Sequence, residues 1–214
     1  MVYNIETIAK DVRIAIDENN SSEQLISDGD IDTLSLDEII RSKVLEAVRR
    51  VESIAPVYLL EEGHNFGDAV YWDEDGRGSG FVILPRDFMR LIAFRMSDWE
   101  RTCYSAILSD DPLYEVQSSR YKGIRGNPQR PVCAIVNRAE GKALEFYSCK
   151  NTDAYVSRGV YIPYPEIDED GGVDISERCY TSAVYTTASL VLSAYGAEER
   201  ASAMTALANQ ILEL

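Results

Sequence analysis

Apolar residues recur at helical spacing toward both ends of the chain and at period two through its middle. Ile5, Ile8, Ala9, Val12, Ala15 and Ile16 form one stripe, which predicts an amphipathic helix over 5–18. The polar run from Glu18 to Gln24 stops it, with a short helical turn expected after Ser21 and a loop at Asp28-Gly29-Asp30. Ser35, with Glu38 three residues later, fits a capping box at the head of a second helix. Leu36, Ile39, Ile40, Val44, Leu45, Val48 and Val51 supply that helix's apolar face, and Pro56 ends it. Two amphipathic helices at the start require a later partner to cover their apolar faces.

The middle of the chain changes period. Val132–Arg138 and Ala143–Cys149 alternate apolar and polar residues around Ala139-Glu140-Gly141-Lys142, which predicts an antiparallel hairpin. With a four-residue turn, Cys133 would face Ser148, placing the sulfurs of Cys133 and Cys149 on opposite faces. A second hairpin is expected over 68–84, around the turn DEDGRGSG. Phe88, Leu91, Ile92, Phe94 and Met96 crowd most of a helical circumference, so Arg86–Asp98 reads as a buried helix. Trp99–Leu108 reads as a strand, Ser109–Pro112 as a turn, and Tyr155–Tyr164 as a third strand of the sheet.

Helical spacing then returns. Asp174 is the expected N-cap of a helix running to Tyr195, rich in Ala, Ser and Thr, whose small side chains admit a close neighbour. Gly196 breaks it, and Ala197–Leu212 makes a last helix with Ala201, Met204, Ala208 and Ile211 on one face. The order is helices, strands, then helices. It implies an α+β fold in one domain spanning 1–214, a bundle of the N- and C-terminal helices (about 1–56 and 174–214) with an antiparallel β-rich lobe (about 57–173) inserted between them.

Charge sharpens this picture. The formal net charge is −15, spread unevenly: residues 1–40 carry ten acidic side chains against Lys10 and Arg13, and residues 163–177 carry six acidic and no basic ones. Against these stands the loop 117–130, with Arg120, Lys122, Arg125 and Arg130 and no acidic residue. Gly123, Gly126, Pro128 and Pro131 keep it out of regular structure. Such an acidic chain opposes general binding to phosphate backbones. The basic loop is therefore expected to meet protein, although Tyr114 and Tyr121 flank it as rings on which single-stranded bases could stack. No apolar run approaches the roughly 18 residues of a membrane-spanning helix. The acidic, amphipathic start lacks the features of a leader, so no export and no membrane are expected.

Catalytic constellations are missing from the pattern. His64 is the one histidine and sits in Gly63-His64-Asn65, with no serine or cysteine motif around it. The four cysteines form no CxxC pair and read as buried thiols. GIRGNP has no strand-to-helix setting for a phosphate loop, and DEDGRGSG lacks the later ligands of a calcium loop. Acidic pairs such as Asp110-Asp111 and Asp168/Asp170 read as solvated turns. The expectation is a protein that is not an enzyme and carries no cofactor.

LPRDFMRLIAFRMSDWE and GIRGNPQRPVCAIVNRAEGKALEFYSC, within residues 84–149, resemble structural proteins of crAss-like phages that infect Bacteroides. The helices–strands–helices layout resembles the head–tail connector, or adaptor, proteins of tailed phages. That resemblance implies a homo-oligomeric ring, commonly of twelve subunits, docked on the portal and meeting neighbouring tail or ring proteins. It further implies a virion protein assembled in the bacterial cytoplasm, with DNA passing through the channel without specific binding. It carries no catalytic residue. Arg120, Lys122, Arg125 and Arg130 are then candidate interface residues. Asp28, Asp30, Asp32, Glu166, Asp168 and Asp170 are candidates for the channel wall or subunit seams. The alternative is a stand-alone, prophage-encoded module that binds a protein or small ligand through the β-lobe.

Overall fold

Whether a helix starts where its apolar stripe starts depends on who satisfies its first amide groups. At Ser35 the hydroxyl accepts the Glu38 amide at 3.3 Å and the Glu38 carboxylate accepts the Ser35 amide at 2.8 Å, a reciprocal box that opens the second helix. The computed structural model describes residues 1–18, 35–61, 63–74, 76–121, 123–147 and 149–213. The expected helical turn after Ser21 and the loop at Asp28–Asp30 lie outside them.

Along the chain come β1 (Val2–Asn4), α1 (Ile5–Glu18) and α2 (Leu36–Ile54), followed by a 3-10 turn at Val57–Leu59. Then follow β2 (His64–Asn65), β3 (Tyr71–Trp72), β4 (Gly80–Ile83), β5 (Phe88–Met96), β6 (Ile107–Leu108) and α3 (Pro112–Val116). The chain continues through β7 (Cys133–Arg138), β8 (Gly141–Phe146), β9 (Val156–Pro163), β10 (Gly172–Asp174), α4 (Glu177–Ala194) and α5 (Glu198–Leu212). The fold is α+β, with the N- and C-terminal helices flanking a β-rich region. It divides into two compact units, Met1–Glu61 with Pro165–Leu214, and Glu62–Tyr164.

The helical unit is built around α4, which packs on α1, α2 and α5. Ile8, Val12, Ile16, Ile40, Val44 and Val48 from the first two helices share one core with Cys179, Ala188, Val191 and Leu192. Small residues let α5 approach closely enough for serine hydroxyls to cross over. Ser182 donates to the Ala208 carbonyl at 3.0 Å and Ser189 to that of Ala201 at 2.8 Å. Between the two helices Gly196 takes φ +74°, with the Ala197 amide on the Leu192 carbonyl and the Gly196 amide on that of Ser193, a Schellman closure. Asp174 is not the cap of α4. It pairs with Val2 at the end of β10, and the helix begins behind Ser176, because the strand register holds Asp174 in extended pairing.

The other unit stacks two sheets. One has the order β2-β9-β5, the other β3-β4-β8-β7-β6, antiparallel throughout except for the parallel pair β6–β7. Phe94, Met96 and Tyr161 from the first sheet, with Phe66 just after β2, meet Val82, Leu144 and Phe146 from the second, with Trp99 sealing the core. Full burial of side chains of this size contributes roughly 1.5–3 kcal/mol each.

Three expectations fail here for identifiable reasons. Arg86–Asp98 is not a helix but contains the strand β5, paired with β9. Register shifts between Phe88 and Arg90, Leu91 and Ala93, and Arg95 and Met96 break the period-two pattern, so buried residues fall at both odd and even positions and mimic an apolar helix. Trp99–Leu108 gives only the Phe94–Cys103 bridge and the two residues of β6. The central hairpin turns on two residues, Ala139 and Glu140, with Arg138 opposite Gly141, so Cys133 faces Phe146 rather than Ser148. The chain leaves β8 after Phe146, and the Cys149 amide turns to the Gly78 carbonyl. Cys149 thereby enters the same core as Cys133 instead of the opposite face. All four cysteines are buried thiols.

The turn between β3 and β4 is fastened by that contact. Gly78 has φ +72°, and a Cβ there would lie 2.0 Å from the Cys149 carbonyl oxygen, whereas Gly76, at φ +64°, faces open space. Gly76→Ala is expected to cost about 1 kcal/mol from backbone conformation alone. Gly78→Ala adds the backbone collision and should exceed about 3 kcal/mol, read by urea denaturation.

Glu52 gives the helical unit a pH dependence. Its carboxylate is buried, accepts the Ser176 amide at 3.1 Å, and is held above the usual glutamate range chiefly by loss of water, aided by Asp174 and Glu61. The folded unit therefore keeps the proton over an interval in which the unfolded chain has lost it, and stability falls as pH rises through that interval. Glu52→Gln should remove this decline. The variant's advantage over wild type is expected to be larger at pH 8 than at pH 5 in denaturation curves.

Candidate binding cleft and the basic loop

Alternation in β8 puts Glu145 on the outer face of the five-stranded sheet, opposite Ala134 on β7 and Phe81 on β4. An unpaired carboxylate there would be costly, and its four bonds answer that cost. One carboxylate oxygen accepts Arg138 Nε at 3.0 Å and Arg138 Nη2 at 2.6 Å. The other accepts the hydroxyls of Tyr114 at 3.0 Å and Tyr147 at 2.8 Å. The Arg138 guanidinium lies 3.9 Å from the centre of the Phe81 ring and 3.8 Å from an Asp73 carboxylate oxygen. Burial, then the Glu145 charge, pushes both tyrosine hydroxyls above their ordinary pKa, so they remain donors at neutral pH.

Tyr114 belongs to α3, whose first turn is capped by Asp111 accepting the Leu113 amide at 2.8 Å. This helix and the basic loop after it lie beside the sheet face and enclose a cleft of about 700 Å³. Its floor is Glu145, Tyr147 and Ser79, and its rim includes Asp73, Arg77, Gln117 and Arg125. The loop is braced rather than loose. The Gln117 side chain donates to the Leu113 carbonyl at 2.9 Å and accepts the Gly126 amide at 2.7 Å. Arg77 donates to the Ser118 carbonyl at 3.0 Å. Such a cleft, with guanidinium, carboxylate, amide and phenol groups all presented, can bind a polar ligand.

This bracing sets Arg125 apart from Arg120 and Arg130, with which it was expected to act. Arg125 is 4% exposed and donates to the Arg77 carbonyl at 3.3 Å, so it is part of the cleft wall and not of the loop's outer surface. Arg120 and Arg130 are exposed, and Lys122 lies outside the described residues. Tyr121 and Ile124 are 70% and 59% exposed, giving the loop an outer surface that is apolar as well as basic. In the helical unit, Glu166, Asp168 and Asp170 are exposed, with Ile167 among them. Asp168 also shapes its own loop, accepting the amides of Asp170 at 2.9 Å and Gly172 at 2.6 Å. Asp28, Asp30 and Asp32 lie outside the described residues.

Sequence reasoning missed the Glu145 network. The available signal was a glutamate inside an alternating strand, flanked at i±2 by Ala143 and Tyr147, which calls for a cation on the same face, here Arg138. No group of His, Cys, Asp and Glu suited to a metal ion occurs among the described residues, nor any helix long and apolar enough to cross a membrane. None of the protein-family models matches the chain, and none of the curated proteins is similar to it in sequence.

Removing the carboxylate would strand one arginine and two phenols. Glu145→Ala is expected to cost about 3–5 kcal/mol of unfolding free energy. Tyr147→Phe, which removes one donor, should cost about 1 kcal/mol. Denaturation followed by tryptophan fluorescence checks both, since Trp72 and Trp99 lie in this unit.

Proposed function

We propose that the chain is a structural subunit that joins copies of itself head to tail into a ring, as a connector between the head and tail of a phage virion. The observation that carries the reading is a pair of complementary exposed patches on two separately packed units. The β-rich unit presents Arg120, Arg130, Tyr121 and Ile124. The helical unit presents Glu166, Ile167, Asp168 and Asp170. A patch that fits a different patch on the next copy is the contact that closed rings use. The resemblance of residues 84–149 to phage structural proteins, and the helices–strands–helices layout, support the same reading. Portal and tail proteins are the further partners in this account. The acidic loop at the seam or channel wall would let DNA pass without holding it, since phosphate binding rests on cations.

A second reading is favoured by one observation, the cleft of about 700 Å³ over Glu145. A module that binds a polar ligand there would work as a monomer.

Sedimentation velocity separates the two. The ring reading expects large oligomers, lost when Arg120 and Arg130 are both replaced by glutamate and regained when Glu166 and Asp168 are replaced by lysine in that variant. A wild-type chain that stays monomeric at high concentration and physiological salt contradicts the ring.

A further inference from the structure

On the side of the β-rich unit where β5 and β9 run together, Arg95 and Arg158 are directly opposed across the ladder. Like charges in that position repel, and no carboxylate lies between them. They line a pocket of about 330 Å³ with Ser97, Thr102, Tyr155 and Ser157, without a single acidic residue. That arrangement is unexpected in a chain with 36 acidic and 21 basic side chains. We propose that this pocket binds a phosphate group.

The donors it presents support that ligand. Arg95 Nε and Nη2 both donate to the Trp99 carbonyl, at 3.1 and 2.9 Å, which fixes the guanidinium and leaves Nη1 to bond elsewhere. The Arg158 side chain is exposed and has neither an ion-pair nor a hydrogen-bond partner among the described residues. The Ser97 hydroxyl accepts the Tyr155 amide at 3.2 Å and so retains its own proton to give. The Thr102 hydroxyl likewise has no hydrogen-bond partner among the described residues. Ser157 is spent, donating to the Arg95 carbonyl at 3.0 Å and holding the strand edge in place. The free Arg158 fork, Arg95 Nη1 and two hydroxyls suit the several oxygens and double charge of phosphate, where a carboxylate would be matched by one arginine alone. Tyr155, 66% exposed at the rim, offers a ring on which a base attached to that phosphate could stack. The ligand is thus a phosphate ester, from a free nucleotide or from the backbone of a single strand. This site is independent of the loop 117–130 and of whether the chain forms rings.

Calorimetric titration of the full chain at low ionic strength tests it, using inorganic phosphate, adenosine monophosphate, a short single-stranded oligonucleotide, and acetate as the monoanionic control. Saturable binding of phosphate, at least tenfold tighter than acetate, is expected. Arg158→Thr should weaken it at least tenfold, Thr102→Val by a smaller factor, and Arg86→Thr, outside the pocket, not at all. Preference for the mononucleotide or for the oligonucleotide identifies which source the pocket serves, with Tyr155→Ala removing the gain. Thermal melting supplies a second readout. Without phosphate, Arg158→Thr should melt higher than wild type, because the repulsion is relieved. Phosphate at constant ionic strength should raise the wild-type midpoint more than that of the variant. Equal responses of wild type and Arg158→Thr, or acetate binding as well as phosphate, would overturn the proposal.

Discussion

The apolar faces of α1 and α2 have no adequate cover until α4 arrives from the far end of the chain, and this long-range burial is what the molecule depends on. The Glu52 carboxylate on α2 accepts the Ser176 amide 124 residues later, at the point where α4 begins. The two ends must therefore meet, and everything from 62 to 164 is an insertion that packs its own core. Loop closure over that span costs little more than over a shorter one, because the entropic cost grows only with the logarithm of length. A large inserted lobe is thus thermodynamically cheap. It can evolve surface features without disturbing the helices that close the first unit.

Local signals predicted the helical unit well. The stripe in α1, the capping box at Ser35 and the break at Gly196 each depend on residues a few positions apart, and the structure follows them closely. The β-rich unit was legible only where alternation was clean, as in the central hairpin. β5 was misread because its bulges come from pairing with β9, sixty or more positions away, and a strand's period is then set by its partner. Asp174 was misread as a cap because its strand pairing with Val2 is more distant still. The same limit applied to the candidate sites. The charge of the loop 117–130 was plain, but the burial of Arg125 depends on the Arg77 carbonyl of another turn, and the Glu145 network on tyrosines from two elements.

The distribution of cations follows from these constraints. In a chain so acidic, several arginines are drawn toward carboxylates or carbonyls of their own unit. Arg138 is committed to Glu145, and Arg125 to the cleft wall. Among the cations open to other molecules are Arg120 and Arg130 on the outer surface of the basic loop, and Arg158 opposite Arg95. The first is mixed with Tyr121 and Ile124, as suits a protein surface. The second is ringed by hydroxyls, as suits an oxyanion. One chain can thus carry a protein joint and a phosphate site without the general cationic surface that would make it adhere to nucleic acid along its length.

The central claim is that the basic loop of one copy meets the acidic loop of another. Zero-length carboxyl–amine cross-linking of a mixture of isotopically light and heavy chains tests it most directly. The account predicts cross-links between Lys122 and the segment 166–170 that join light to heavy peptides in the proportion expected for contacts between copies. Cross-links confined to peptides of the same isotope, or none between these two segments under conditions where the chain is associated, would contradict it.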